Sequence, residues 1–86
     1  MKVYLFHSKQ CEACRLMVPA LLASEILPGV ITYLDIDEKS NECAPWGLRA
    51  VPTMVILNNH NRELSRRIGF QSHDEVLEWL LEFGVL

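Results

Sequence analysis

Two cysteines separated by two residues, Cys11 and Cys14, are the side chains of this sequence best suited to chemistry. Thiols at this spacing can exchange electrons as a dithiol and a disulfide, or they can bind a metal. A second feature is the segment Val51-Pro52-Thr53, where a proline after an extended stretch can bring a backbone edge against the cysteines. Together, the cysteine pair and the proline segment predict redox chemistry.

Cys11 stands at the predicted start of a helix that begins near Glu12. Free backbone N–H groups and the positive end of the helix dipole favour a negatively charged sulfur there, so Cys11 is placed to be a thiolate near neutral pH. Cys14 lies one turn later, faces the same way and is expected to be more buried. We therefore predict that Cys11 is the nucleophile that attacks a target disulfide and that Cys14 resolves the mixed disulfide.

A zinc site is the main structural alternative for such a cysteine pair. It would need a second pair of ligands at metal spacing. The remaining candidates are Cys43 and the scattered residues His7, His60 and His73. A purely structural disulfide within one helical turn would close too small a loop to stabilise the fold much. We predict no metal and no cofactor beyond the redox-active pair, and Cys43 is expected to be a small buried hydrophobic residue.

Length and composition exclude several classes of protein. The 86 residues form one predicted domain, residues 1–86, half of the residues are hydrophobic, and the net charge is only −3. These values favour neither nucleic acid nor an anionic membrane as a partner. No stretch reaches the roughly 20 apolar residues of a membrane span, and the N-terminus does not resemble a secretory signal. We expect a cytoplasmic monomer.

The hydrophobic pattern predicts an α/β protein with the order βαβαββα, a four-stranded mixed sheet flanked by three helices. The strand, helix, strand order at the start implies a parallel crossover. The predicted strands are 2–7, 30–37, 53–57 and 63–68, and the predicted helices run from Glu12 to Pro28-Gly29, over 38–48 and from a capping box at Ser72. The apolar stripe of the first helix is predicted to comprise Leu16, Met17, Ala20, Leu21 and Leu27.

Three passages of the sequence resemble the thioredoxin family. Pro19 follows the second cysteine by five residues, as the proline of the kinked helix does in that family. The segments Tyr33-Leu34-Asp35-Ile36-Asp37-Glu38 and Ala44-Pro45-Trp46-Gly47-Leu48-Arg49-Ala50-Val51-Pro52-Thr53 are similar to two further family passages. The resemblance is to a minimal, glutaredoxin-sized version that lacks the first strand and helix. Glu12-Ala13 replaces the family's Gly-Pro between the cysteines, Leu5 stands in place of a buried aspartate, and His7 in place of a tryptophan.

The resemblance implies a thiol–disulfide oxidoreductase that reduces protein disulfides. It implies a cis peptide bond at Val51–Pro52 that faces the cysteines, with Val51 offering its backbone to an extended substrate segment. Gly69 matches the glycine that closes the family's substrate groove, and Trp46, just before the proline loop, is a candidate to line it. Implied partners are ribonucleotide reductase or a similar substrate, and thioredoxin reductase or glutathione as the electron donor.

Two other functions stay open from the sequence. A glutaredoxin-type, glutathione-dependent reductase is favoured by the short length, but the segment from Arg66 to Phe70 lacks the paired glycines followed by an acidic residue that hold glutathione in that family. The other is a non-enzymatic binding or metal-binding module, in which the cysteines bind metal or stay idle while the proline loop holds a partner. Both cysteines are present, whereas a pure binding groove would need neither. His7 is either a proton relay to the cysteines or a loop residue satisfied by backbone or water.

Overall fold

The computed structural model describes all residues, Met1–Leu86, and its centre is a four-stranded sheet in the order β2-β1-β3-β4. The strands are β1 (Lys2–His7), β2 (Ile31–Asp35), β3 (Thr53–Leu57) and β4 (Glu63–Ile68), and the helices are α1 (Glu12–Leu22), α2 (Ser40–Cys43), which continues into a 3₁₀ turn (Ala44–Trp46), and α3 (His73–Glu82). The β1–β2 pair is parallel, whereas β3 is antiparallel to both of its neighbours. The predicted α/β class, the order βαβαββα and the mixed sheet are confirmed.

The sheet is covered on both faces, which explains why its central strands are apolar at consecutive positions. All five residues of β3 are buried. In β1 the side chains alternate, so that Val3 and Leu5 join the core cluster under α1 and α3, while Phe6 joins the smaller cluster on the face of α2. The larger cluster includes Trp79, which is 1% exposed and packs in the core.

The buried stripe of α1 differs from the prediction. Met17 and Leu21 are buried as expected, and Cys14 completes the stripe one turn earlier. Leu16 is 64% exposed and Leu27 is 71% exposed. The spacing of 14, 17 and 21 follows one face of a helix, and Leu16 projects from another.

The first helix also ends earlier than predicted, at Leu22. The Ser24 hydroxyl donates to the Leu21 carbonyl at 2.6 Å and accepts the Ile26 N–H at 3.2 Å. This serine turn redirects the chain so that Ile26, at 8% exposure, enters the core in place of Leu27.

None of the three helices combines the length and the hydrophobicity that crossing a bilayer requires.

The last helix begins with the capping box predicted at Ser72. The Ser72 hydroxyl accepts the Glu75 N–H at 3.2 Å, and the Ser72 N–H donates to the Glu75 carboxylate at 3.0 Å. From this start α3 directs Val76, Trp79 and Leu80 into the core. The ring nitrogen of Trp79 donates to the Ser65 hydroxyl at 3.1 Å, which ties α3 to β4.

Candidate active site around Cys11 and Cys14

Cys11 is the N-cap residue of α1, at the end of a short loop that follows the carboxyl end of β1. Its backbone is extended, and its sulfur accepts the Cys14 N–H at an N···S distance of 3.1 Å. The sulfur thus satisfies one of the backbone donors that every helix start leaves free. A thiolate at this position gains from that hydrogen bond and from the positive end of the helix dipole.

Cys14 lies one turn later and is only 2% exposed, whereas Cys11 is partly exposed. Burial raises the pKa of the Cys14 thiol to about 11, with a smaller contribution from the neighbouring sulfur of Cys11. Both cysteines are free thiols in this structure. Near neutral pH Cys14 is therefore protonated and shielded, and the accessible sulfur of the pair belongs to Cys11.

Ser8 organises the loop that carries the cysteines. Its hydroxyl accepts the Gln10 N–H at 3.2 Å and donates to the Asp37 carboxylate at 2.9 Å. Its carbonyl accepts the Cys11 N–H at 3.2 Å. Ser8 and Asp37 were not among the predicted site residues. A serine three positions before a helix N-cap is a turn signal that points to such a role.

The proline loop lies against Cys11. The Cys11 sulfur is 3.5 Å from the Val51 carbonyl oxygen, to which a protonated thiol donates. The Val51–Pro52 peptide bond is cis, Pro52 is buried and Val51 is partly exposed. The Gly69 N–H donates to the Pro52 carbonyl at 2.8 Å, with Gly69 at a φ of +95° that side chains rarely tolerate. Cys11, Val51, Pro52 and Gly69 therefore form one connected group, although their roles in substrate binding stay a prediction.

Trp46 ends the 3₁₀ turn that precedes the proline loop in the chain. Its ring packs at 5.5 Å from the Tyr4 ring and 5.6 Å from the Phe6 ring, on the sheet face covered by α2. Its carbonyl accepts a hydrogen bond from Arg66 at 3.0 Å. The structure thus gives Trp46 a packing role, and its place in a substrate groove stays a prediction.

His7 and Cys14 line the same shallow depression at the end of β1, with a volume of about 220 Å³. The remaining lining residues are Ser8, Lys9, Arg15, Val18 and Pro19. His7 is the last residue of β1, not a loop residue, and its ring is 6.4 Å from that of Tyr33. Leu5, two residues earlier on the same face of β1, is fully buried and has no titratable group.

The candidate metal ligands named from the sequence do not gather into a metal site around the cysteine pair. No three or more His, Cys, Asp or Glu side chains are grouped so as to hold a metal ion. Cys43 is buried in the cluster on the α2 face of the sheet, and burial raises the pKa of its thiol. Cys43 therefore packs as a hydrophobic residue, as the sequence predicted.

Comparison with known proteins gives a consistent result. The family model for thioredoxin matches residues 2–82. A thioredoxin of Rickettsia conorii is 28% identical over 78 residues, which cover 87% of this chain and 73% of the relative. A thioredoxin of Buchnera aphidicola is 30% identical over 80 residues, which cover 90% of this chain and 73% of the relative. The structure of thioredoxin 1 from Thermosipho africanus superposes with a TM-score of 0.74 at 28% identity, covering 96% of this chain and 97% of that one.

Proposed function

The chain belongs to the thioredoxin family, and we propose that Cys11 is its nucleophile and Cys14 its resolving cysteine. Family membership makes the protein a thiol–disulfide oxidoreductase of the thioredoxin type, which reduces protein disulfides. One observation supports the division of roles above all others. Cys11 is partly exposed and its sulfur accepts the Cys14 N–H, while Cys14 is 2% exposed.

The proposed reaction passes two electrons from the cysteine pair to the substrate. The Cys11 thiolate attacks one sulfur of the substrate disulfide, so that a bond to that sulfur forms and the other substrate sulfur leaves as a thiolate. Cys14 then loses its proton and attacks the Cys11 sulfur. The Cys11–Cys14 disulfide forms, the substrate sulfur that was bonded to Cys11 leaves, and the substrate is released as a dithiol.

The proposed substrate seat is the proline loop. Val51 is partly exposed, and its carbonyl lies 3.5 Å from the attacking sulfur, so its backbone can pair with an extended segment that carries the target disulfide. Gly69 borders this loop, and a Cβ atom added to it would meet no atom within 4 Å, so the space beside it is open to a passing chain. Trp46 completes the proposed set because its segment leads into the loop.

The family implies protein substrates that carry disulfides and a reductase that restores the dithiol. We further propose ribonucleotide reductase or a similar enzyme as a substrate and thioredoxin reductase, not glutathione, as the electron donor. The proposal includes a cytoplasmic monomer with one domain over residues 1–86 and no cofactor. The small net charge of −3 supports partners that are neither nucleic acid nor membrane.

The electron donor can be tested by turnover with insulin as the disulfide substrate. We expect reduction to be supported by thioredoxin reductase with NADPH and not by glutathione with its own reductase. The chain between Arg66 and Phe70 lacks the glycine pair and acidic residue expected of a glutathione site. The equilibrium potential of the cysteine pair should be about −270 mV, the value typical of thioredoxin. Turnover that requires glutathione would instead establish a glutaredoxin-type reductase.

The proposed roles of the cysteines predict an order of alkylation. At pH 7 iodoacetamide should label Cys11 first, because the pKa of Cys14, raised to about 11, leaves that buried thiol protonated and unreactive. Labelling of Cys14 should become appreciable only as the pH approaches this value. Peptide mass spectrometry on timed samples measures the order, and the denatured protein, in which all three cysteines react, is the control. Labelling of Cys14 or Cys43 ahead of Cys11 would contradict the assignment.

A further inference from the structure

The resolving step requires Cys14 to lose a proton, and the core beneath α1 offers no group to receive it. Cys14 is 2% exposed, and burial raises its pKa to about 11. The core cluster under this helix consists of hydrocarbon, thioether and indole side chains, among them Leu5, Met17 and Met54. A proton acceptor for Cys14 must therefore lie at the surface of the site.

His7 is positioned for this task by the geometry of β1. Side chains alternate along a strand, so His7 shares the face of Val3 and Leu5, which is the face covered by α1. The contact of its ring with Tyr33, which packs against the same cluster, agrees with this placement. Cys14 projects from α1 towards this face, and both side chains line the depression of about 220 Å³.

The other ionisable groups around His7 are poor proton acceptors near neutral pH. Lys9 and Arg15 line the same depression, but both are protonated cations in this range. Asp35 pairs with His7 in the β1–β2 register, and its pKa is lowered, chiefly by the hydrogen bond that its carboxylate accepts from the Asp37 N–H.

Tyr33 from β2 completes the groups that face His7. Burial raises the pKa of its phenol, which therefore remains protonated. An imidazole, in contrast, ordinarily changes its charge close to pH 6.5 and is the usual proton acceptor at neutral pH. Among the side chains that line the depression with Cys14, His7 is the one that can accept a proton near neutral pH.

We propose that His7 accepts the proton of Cys14 during the resolving step. In the mixed disulfide, neutral His7 takes the thiol proton directly or through one solvent molecule in the depression, while the Cys14 sulfur attacks the Cys11 sulfur. The Cys11–Cys14 bond forms, the bond from Cys11 to the substrate breaks, and the substrate sulfur leaves with the electron pair. The imidazolium then returns its proton to that thiolate or to solvent. This inference rests on the proposed order of attack.

The two steps can be separated with one equivalent of dithionitrobenzoate, an aryl disulfide whose two halves become coloured as each is released. The first half reports attack by Cys11 and the second reports resolution by Cys14. In the unaltered protein, the second release should slow as the pH is lowered below neutral, because a protonated imidazole accepts no proton. In His7→Gln, the second release should be about 100-fold slower at pH 7 and should lose this pH dependence, and the first should change less than about twofold.

His60→Gln is the matched control, because His60 is exposed in the turn between β3 and β4. It should leave both releases unchanged. The inference is overturned if the second release of the unaltered protein shows no fall between about pH 7.5 and 5.5. It is also overturned if His7→Gln slows both releases equally or leaves the second unchanged. Loss of the first release from the unaltered protein would instead refute the proposed attack by Cys11, and with it the basis of this inference.

Discussion

A Cys11→Ser variant is expected to lose disulfide reduction, with turnover of insulin falling by about 1000-fold or more when thioredoxin reductase and NADPH are in excess. A serine hydroxyl remains protonated near neutral pH and forms no disulfide, so neither the attack nor the later closure of the pair can occur. Serine is a favoured N-cap residue, and its hydroxyl can accept the Cys14 N–H that the sulfur accepts now. The loss should therefore reflect chemistry, with the fold retained.

Cys43→Ala is the matched control for this experiment. Cys43 is buried on the face of the sheet opposite to α1, so its replacement should leave turnover near that of the unaltered protein. Because the side chain is buried, its truncation should lower the free energy of unfolding by about 1 kcal/mol. Thermal unfolding of both variants checks that they are folded at the assay temperature. Turnover by Cys11→Ser that remained within tenfold of the unaltered protein would mean that another sulfur attacks first.

The central strands were predictable because burial on both faces leaves a direct trace in the sequence, whereas β4, which has no buried residue, was predicted from the polar turn that precedes it. The bounds of β1, β3 and β4 coincide with the predicted ones. The second strand is shorter than predicted and ends at Asp35, whose carboxylate accepts the N–H groups of Asp37 and Glu38 at 2.9 and 3.3 Å. This side-chain turn competes with further pairing, and alternating acidic residues after a strand are the signal that could have shown it.

The buried face of α1 was less predictable, because hydrophobicity alone does not say which face meets the sheet. Leu16 and Leu27 are as apolar as Leu21, yet they are exposed, and Cys14 takes a place on the buried stripe. The turn at Ser24 that ends the helix decides the outcome for Leu27. Such choices depend on tertiary packing, which the spacing of apolar residues in one segment does not specify.

Much of the candidate site could be predicted, since a cysteine at a helix start and a proline before a strand are local patterns. The link from Ser8 to Asp37 could not be read as easily, because it joins residues 29 positions apart. It forms because β1 and β2 are parallel neighbours, whose carboxyl ends meet at one edge of the sheet. The predicted parallel crossover already contained this information, but not the pairing of these two side chains.

A Cys14→Ser variant is expected to capture its substrate covalently. Cys11 keeps its position and its partial exposure, so it should attack a target disulfide as before, but the serine has no sulfur with which to release the product. Mixing the reduced variant with insulin should convert most of it into a mixed disulfide. Non-reducing electrophoresis measures the adduct, dithiothreitol should cleave it by reducing the mixed disulfide, and mass spectrometry should locate it on Cys11.

The double variant Cys11→Ser/Cys14→Ser is the control, and it should form no adduct because its remaining cysteine, Cys43, is 5% exposed. An adduct on Cys43, or no adduct from Cys14→Ser, would contradict the order of attack.

The trapped complex separates two contributions that turnover combines. The rate at which the trapped complex forms depends on the exposure and charge of Cys11. In the unaltered protein, the lifetime of the corresponding mixed disulfide depends on how readily the buried Cys14 thiol gives up its proton. Because burial raises the pKa of Cys14 to about 11, that lifetime should be set by proton transfer at the depression beside His7.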